Sequence, residues 1–246
     1  MSITMIHGDS TQVMESVDPY VQLFIADLPY NINFDYGGGY DDNKDHQTYL
    51  ADMTAIARAC LNKAKKGASF FVIHYAPVAA DLKPLFEATG WKLHQWLTWT
   101  YPSNVGHSKK RFTKASRAVL WFSNGDPLFN HKATTQPFKN PNDKRIKKLI
   151  ANGSTGASHY DHWSINLCKN VSSDYAGYFN QIPYELLERI ILHCSNVGDI
   201  VLDPCAGSGS TAVAADKLGR EGVGIDLSPV AVKLWDEAGY DVMVML

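Results

Sequence analysis

Cysteine is scarce in this sequence, which has four in 246 residues. The four are widely separated and form neither a CxxC pair nor the spacing of a zinc site. The sequence therefore predicts neither a disulfide framework nor a bound metal, and reduced thiols are typical of cytoplasmic proteins. The cysteines are Cys60, Cys168, Cys194 and Cys205.

Long apolar runs are also absent. No run reaches the roughly 18 residues of a membrane-spanning helix, and the first four residues lack the basic start of a signal peptide. We therefore expect a cytoplasmic protein without a membrane partner. The composition, with 45% hydrophobic and 20% charged residues, excludes intrinsic disorder, collagen and a coiled coil. A chain of this length buries most of the surface that it exposes when unfolded.

The net charge of −2 hides an uneven distribution along the chain. Residues 107–150 contain eleven lysines and arginines and two acidic residues, so this basic segment carries +9. The remaining residues, with 12 basic and 23 acidic side chains, carry −11. A basic segment within an acidic chain favours a surface that faces a polyanion such as nucleic acid, and a solvated lysine face is the alternative.

Short apolar runs that predict strands alternate with segments of helical periodicity. This alternation implies an α/β fold with a mostly parallel sheet, helices on both faces, and ligands at the carboxyl ends of the strands. The predicted strands are residues 21–26, 69–73, 91–99, 117–122, 200–202, 222–225 and 242–244. The predicted helices are residues 47–65, closed by Gly67, and residues 77–88, 183–195, 210–218 and 229–238.

Glycine, asparagine, proline, serine and lysine dominate residues 123–178, where periodicity is weak. We interpret this stretch as an irregular insertion and not as a second globular core. The predicted organisation is a single domain over residues 1–246. Its main part comprises residues 1–122 and 179–246.

A glycine-rich loop joins a predicted strand to a predicted helix. It reads Asp-Pro-Cys-Ala-Gly-Ser-Gly-Ser-Thr over residues 203–211, and Gly207 and Gly209 permit tight turns and close approach of a ligand. Asp226 ends the next strand, where an acid can accept hydrogen bonds from ribose hydroxyls. The loop lacks the GxGxxG and GK[ST] patterns, so a nucleoside cofactor without phosphates fits best. The alternative is a plain tight turn with a surface acid.

A second motif, Asp27-Leu28-Pro29-Tyr30, follows the first predicted strand. Taken alone, it is more often a turn acid with a core aromatic. Together with the glycine loop, it resembles the D/N/S-P-P-Y/F motif of the amino-methylating DNA methyltransferases. The tetrapeptide comes early, the glycine loop late and the basic segment between them. This order is similar to that of the circularly permuted β group of the family.

The resemblance extends over most of the chain outside residues 123–178. It includes His-Gly-Asp at 7–9, Leu-Thr-Trp at 97–99 and Asn-Gln-Ile-Pro-Tyr-Glu-Leu-Leu at 180–187. It implies a Rossmann-like fold that binds S-adenosylmethionine, with residues 123–178 as an inserted target-recognition region. Position 28 is leucine where the family normally has proline. Leucine keeps the backbone carbonyl group, but it leaves φ unfixed and adds an N–H group.

The reaction that the resemblance implies is methyl transfer to an exocyclic amino group of a base flipped out of double-stranded DNA. The lone pair of that nitrogen is delocalised into the ring, and two acceptors at its hydrogens would localise it. The resemblance assigns these roles to the Asp27 carboxylate and the Leu28 carbonyl. Pro29 completes the motif, and Tyr30 offers a face on which the base stacks. The aspartate favours adenine N6, with cytosine N4 as the alternative.

Two other classes of function stay open from the sequence. One is a catalytically inactive DNA-binding relative, which Leu28 suggests. The other is a methyltransferase acting on RNA or on a protein side-chain amide. The +9 segment argues against a protein substrate.

For the cofactor, the resemblance places Asp203 and Ser208 near the amino-acid end of S-adenosylmethionine and Asp226 at the ribose. Asp9 would receive the adenine amino group, or else cap the helix that follows it. Cys205 is interpreted as a packing residue, since no activating base adjoins it. The implied cofactor-binding residues are Asp9, Gln181, Pro183, Asp203, Cys205, Ala206, Gly207, Ser208, Gly209 and Asp226.

Seven basic side chains are expected at DNA phosphates, where they would position the duplex without specifying its sequence. The resemblance is also compatible with a homodimer, a cognate restriction enzyme, and a prokaryotic or viral source. The seven are Lys109, Lys110, Arg111, Lys144, Arg145, Lys147 and Lys148.

Overall fold

The computed structural model describes residues 3–18, 20–36, 40–102, 109–168, 175–178 and 180–245. In this part of the chain nine strands form one sheet. The strands are β1 (Ile3–His7), β2 (Val21–Asp27), β3 (Ala64–His74), β4 (Lys92–Thr100), β5 (Ser116–Ser123), β6 (His162–Ser164), β7 (Ile200–Asp203), β8 (Glu221–Asp226) and β9 (Val242–Val244). The helices are α1 (Ser10–Val13), α2 (His46–Lys63), α3 (Ala76–Thr89), α4 (Lys144–Ala151), α5 (Tyr184–Cys194), α6 (Ser210–Lys217) and α7 (Pro229–Glu237), with a 3₁₀ turn at Met14–Ser16.

The strand order across the sheet is β6-β4-β5-β3-β2-β7-β8-β1-β9. β5 runs antiparallel to both neighbours, and the other described pairings are parallel. The prediction of a mostly parallel sheet is therefore confirmed. The chain leaves β2 toward β3 on one side and leaves β7 toward β8 on the other. The winding thus reverses between β2 and β7, and sheets of this kind bind ligands outside the carboxyl ends at such a reversal.

The central strands are buried on both faces, which is why they read as unbroken apolar runs in the sequence. In β2, Phe24 belongs to the core cluster of α2 and α3, whereas the next residue, Ile25, belongs to that of α5 and α6. A helical layer therefore covers each face, as predicted. α7 covers the β1 end of the sheet through Trp235, which shares a third cluster with Met5. No helix in the described part of the chain is long and apolar enough to cross a membrane.

The first long helix ends earlier than its sequence pattern predicts. α2 ends at Lys63, and Gly67 lies inside β3 instead of closing the helix. Its φ of 78° coincides with a shift in register between β2 and β3, so this glycine serves a β-bulge. A Cβ atom at Gly67 would stand 2.6 Å from the carbonyl oxygen of Asp126.

Two strands have no counterpart among the sequence predictions. β1 is five residues long with two buried residues, and β6 is three residues long with only Trp163 buried. Such short runs show no alternation. β6 and α4 lie within residues 123–178, so the stretch expected to be irregular supplies a helix and a strand that pairs with β4. Residues 169–174 of this stretch lie outside the described residues.

Candidate active site

A cavity of about 500 Å³ lies at the carboxyl ends of β2, β7 and β8. Its lining combines the tetrapeptide after β2 with the glycine loop after β7. Asp226, at the end of β8, and Asp9, after β1, also belong to the lining. The fold therefore brings the two motifs, from opposite ends of the chain, into one site. Of the predicted cofactor residues, Pro183 and Gly209 are not part of the lining.

Acidic side chains hold the glycine loop in place. Asp203 accepts the N–H of Cys205 at 3.0 Å and the hydroxyl of Thr211 at 2.6 Å. Asp226 accepts the N–H of Gly207 at 2.7 Å. Each acid at a strand end therefore also closes or anchors the turn beside it.

The two loop glycines are required for different reasons. Gly207 has a φ of 48°, and a Cβ atom there would lie 2.8 Å from the ring of Tyr178. Gly209 has a φ of 75°, and its Cβ atom would lie 2.5 Å from the terminal methyl of Met5 and 3.0 Å from the indole nitrogen of Trp235. The tight turn predicted at both glycines is confirmed by their positive φ values, and Gly209 also lets the loop pack on the core. Close approach of a ligand stays a prediction.

Three of the carboxyl groups that line the cavity, those of Asp27, Asp203 and Asp226, are largely buried. Burial raises the pKa of Asp27 to about 6 and the pKa of Asp203 to about 7. Burial also raises the pKa of Asp226, and the charges of Asp226 and Asp27 further raise the pKa of Asp203. A cationic ligand in this cavity would favour the charged form of these carboxyl groups and relieve the repulsion between them.

Asp9 caps the short helix that follows β1. Its carboxylate accepts the N–H of Thr11 at 2.8 Å and the hydroxyl of the same residue at 2.5 Å. The helix-capping alternative is therefore confirmed. Because Asp9 also lines the cavity, a contact with the cofactor stays a prediction.

Three side chains converge on the carboxylate of Asp27. Tyr30 donates its hydroxyl to Oδ1 at 2.5 Å, and Asn180 donates its side-chain amide to Oδ2 at 3.1 Å. The Nη1 atom of Arg117 lies 3.7 Å from Oδ2. These contacts fix the orientation of the carboxylate in the cavity wall.

The ring of Tyr30 is packed rather than open. The residue is 6% exposed, and its ring centroid lies 4.8 Å from that of His74 and 4.9 Å from that of Tyr75. The guanidinium of Arg117 lies 5.0 Å from the same centroid. Tyr30 nevertheless belongs to the cavity lining, so stacking of the base on its ring stays a prediction.

Arg117 is a site residue that the sequence analysis counted only as part of the basic segment. It begins the buried run of β5, is 5% exposed, and places its guanidinium 5.0 Å from the rings of Tyr30 and Trp99. It donates to Oδ1 of Asn180, whereas Nε and Nη1 have no hydrogen-bond partner among the described residues. Its charge opposes the effect of burial on the pKa of Asp27. The sequence signal is a lone cation at the head of an apolar run.

A second network, also missed from the sequence, holds the tetrapeptide loop. Tyr49 donates its hydroxyl to the Pro29 carbonyl at 2.7 Å, and Nε2 of His74 lies 3.0 Å from that hydroxyl. Nδ1 of His74 accepts the N–H of Tyr75, so Nε2 carries the proton. Burial lowers the pKa of His74 to about 4, which keeps the ring neutral. Leu28 is fully buried in the core, so side-chain packing holds the loop where the family has proline.

The seven basic residues expected at DNA phosphates are exposed and lie outside the cavity lining. Four belong to α4, which has no buried residue, and the other three, residues 109–111, precede β5. Lys114 follows them, and its Nζ lies 4.1 Å from the ring centroid of Tyr75, which packs against Tyr30. The stretch before β5 therefore borders the Asp27 end of the cavity.

One thiol lines the cavity. Burial raises the pKa of Cys205 well above its usual range, so this side chain is a thiol and not a thiolate. This agrees with its interpretation as a packing residue. Within the residues that the structure describes, no group of three or more His, Cys, Asp or Glu side chains could hold a metal ion.

The fold and the site define a class: an α/β methyltransferase that uses S-adenosylmethionine. Solved structures of this class share the architecture. The cytosine-N4-specific PvuII DNA methyltransferase superposes with a TM-score of 0.76 at 18% identity, covering 98% of this chain and 87% of that one. The complex of M1.HpyAVI with S-adenosylmethionine gives a TM-score of 0.68 at 16% identity, covering 95% and 99%.

The chain belongs to the DNA methylase family, whose family model matches residues 21–237. Among its relatives, the type II methyltransferase M.ScaI of Streptomyces caespitosus is 29% identical over 240 residues, covering 92% of this chain and 77% of that protein. The DNA adenine methyltransferase YhdJ of Escherichia coli K12 is 26% identical over 241 residues, covering 94% and 80%. The resemblance to the amino-methylating DNA methyltransferases is thereby confirmed. Members of this family modify adenine N6 or cytosine N4.

Proposed function

We propose that this protein transfers a methyl group from S-adenosylmethionine to the N6 atom of an adenine flipped out of double-stranded DNA. The observation that carries the proposal is the shared cavity, in which an oriented Asp27 carboxylate and a glycine loop line one space. Adenine is preferred to cytosine because position 27 is aspartate, by the resemblance described above. The buried Leu28 side chain supports an ordered loop without proline, which favours an active enzyme over an inactive relative.

Asp27 acts on the target amino group in this proposal. Its carboxylate and the Leu28 carbonyl accept the two N–H groups, which pulls the nitrogen toward tetrahedral geometry and localises its lone pair. S-adenosylmethionine, when bound, supplies a methyl group on a positively charged sulfur. The new N–C bond forms as the C–S bond breaks, and the surplus amino proton leaves to Asp27 or to water. Much of the rate enhancement comes from holding the reacting atoms in line.

The donor fits the charge of the site. Asp203 would hold its ammonium group and Asp226 its ribose hydroxyls, with Ser208 nearby, as the family resemblance implies. The observation that supports this fit is the set of buried carboxyl groups with raised pKa values, since a sulfonium and an ammonium group stabilise neighbouring carboxylates.

Binding of S-adenosylmethionine should strengthen as the pH rises through the pKa of Asp203, which is about 7. A cation beside Asp203 favours the carboxylate, so binding releases a proton below that pH, and affinity should fall by up to about tenfold per pH unit there. Calorimetry in two buffers of different ionisation enthalpy measures the released proton. In Asp203→Asn the remaining binding should lose the part of this pH dependence that is centred near pH 7. Equal wild-type affinities on both sides of pH 7 would contradict the assignment.

Reversing two charges on α4 should weaken DNA binding and reduce its dependence on salt. Lys147→Glu with Lys148→Glu removes two phosphate contacts, so the slope of log affinity against log salt should fall by about 2. The matched control is Lys66→Glu with Lys92→Glu, two exposed lysines at the amino ends of β3 and β4, on the edge of the sheet opposite the cavity. An unchanged slope for the α4 variant would show that α4 does not contact phosphate.

The target atom can be identified by mass spectrometry of nucleosides. Unmethylated duplex DNA is incubated with the protein and S-adenosylmethionine and then digested. N6-methyladenine is the expected product. If N4-methylcytosine forms without N6-methyladenine, the target in the proposal becomes cytosine. If no DNA gains a methylated base, the proposed activity is wrong. Single-stranded DNA and RNA, treated in parallel, test the preference for the duplex.

A further inference from the structure

Phe112 is a fully exposed aromatic residue within a basic stretch. Its side chain is 99% exposed, more than any other large hydrophobic residue in the described part of the chain. Residues 109–111 and Lys114 surround it with four positive charges, and the sequence has no acidic residue between His107 and Asp126. Single exposed apolar residues are common on protein surfaces. Phe112 differs because its exposed ring lies in a stretch of sequence whose charges are all positive.

This stretch lies beside the candidate active site. Lys114 places its ammonium 4.1 Å from the centroid of the Tyr75 ring, which packs against Tyr30. Arg117, three residues further on, reaches the carboxylate of Asp27. Two residues of extended chain span at most about 7 Å, so the backbone of Phe112 stays within that distance of the backbone of Lys114, whose side chain reaches the Asp27 end of the cavity.

We propose that Phe112 inserts into the base stack of the duplex next to the target base while the neighbouring cations hold the phosphates. This inference rests on the proposed function. A base is inaccessible within the duplex, and unstacking it costs free energy that an apolar side chain can offset by stacking in the opened step. The charge of the stretch identifies the partner as a polyanion, and the exposed ring fits the interior of a base stack. A phosphate-only contact would need the lysines and no phenylalanine.

The test compares Phe112→Ala, Phe112→Trp and the wild type on a short duplex that contains the methylated site mapped for the wild-type protein. We expect the single-turnover rate of methyl transfer to fall at least tenfold in Phe112→Ala, with unchanged affinity for S-adenosylmethionine. Phe112→Trp should keep most of the rate because it retains a stacking ring. Tyr20→Ala removes another exposed aromatic residue, at the amino end of β2, and should have no effect.

A duplex with a weakened target base pair distinguishes a role of Phe112 in base extrusion from its other possible roles. When the target base stands opposite a mismatched nucleotide, the cost of extrusion falls, and Phe112→Ala should regain a rate close to that of the wild type. A wild-type rate for Phe112→Ala on the matched duplex would overturn the inference while leaving the proposed function intact. A loss that the mismatch does not restore would also overturn it, because Phe112 would then serve affinity or folding. Absence of methyl transfer by the wild type on any DNA would overturn the function itself.

Discussion

Replacing Asp27 with alanine should abolish methyl transfer and leave binding of S-adenosylmethionine largely intact. The carboxylate is the acceptor that orients the target amino group, and removal of one preorganised group of this kind lowers kcat by on the order of 10²–10³-fold. Asp27→Ala also removes the carboxylate that would accept the amino proton, which lowers the rate further. The measurement is the single-turnover rate on duplex DNA, with cofactor affinity determined by calorimetry on the same preparation.

Asp27→Asn is the matched variant for this experiment. It preserves the size of the side chain and one acceptor oxygen, and we expect a rate roughly tenfold below the wild type, because a neutral acceptor forms a bond about half as strong as a charged one. Alanine also leaves the buried Arg117 without its counter-ion, which can lower the free energy of unfolding by about 3–5 kcal/mol. Thermal unfolding of both variants separates this effect. Undiminished turnover in folded Asp27→Ala would remove the residue from the chemistry.

Replacing Arg117 with methionine should move the acid limb of the pH–rate profile to higher pH. Burial raises the pKa of Asp27 to about 6, and the nearby guanidinium is the leading influence that lowers it. Without that charge the pKa of Asp27 rises further, so less carboxylate is present near neutral pH. The value of kcat/KM should fall by up to about tenfold for each unit by which that pKa exceeds the assay pH. In alkaline buffer, where Asp27 is again ionised, kcat/KM should recover.

Arg117→Lys is the control because it retains a positive charge at nearly the same position. We expect its acid limb to stay close to that of the wild type, and a uniform loss of rate to reflect the lost contact with Asn180. The profile of kcat/KM reports the free enzyme and is therefore the quantity to compare. Identical apparent pKa values in Arg117→Met and the wild type would contradict this role. The ionisable groups facing Arg117 are Asp27, Tyr30, Tyr75 and Tyr101, and His74 is neutral beside them.

The helices and strands that the sequence predicted correctly carry strong local signals. β7, β8 and α6 follow from apolar runs buried on both faces and from turn residues at their ends. α7 begins at Pro229, as its proline predicts. The prediction that Gly67 ends a helix was wrong because a glycine with positive φ occurs in β-bulges as well as at helix ends, and the neighbouring residues do not distinguish the two.

Some residues of the candidate site were likewise predicted from the sequence, and others were not. Asp27 and Asp203 were identified through the family resemblance of their loops, and Asp226 through its place at the end of a predicted strand. All three share one site because the carboxyl ends of neighbouring parallel strands meet at one edge of the sheet. Arg117 and His74 were missed, since each acts through contacts with other parts of the chain. The packing of the Tyr30 ring by residues of β3 and β5 was missed for the same reason.

The α/β class, the two candidate site loops and the concentration of positive charge between them can be predicted from the sequence. Those properties depend on periodicity, on turn residues and on composition, which are local to the chain. Only the folded molecule reveals that both loops line one cavity, which cation faces Asp27, and which of the glycines packs against the core. Each of these depends on distances between residues far apart in the chain, and those distances are set by the order of the strands and by burial.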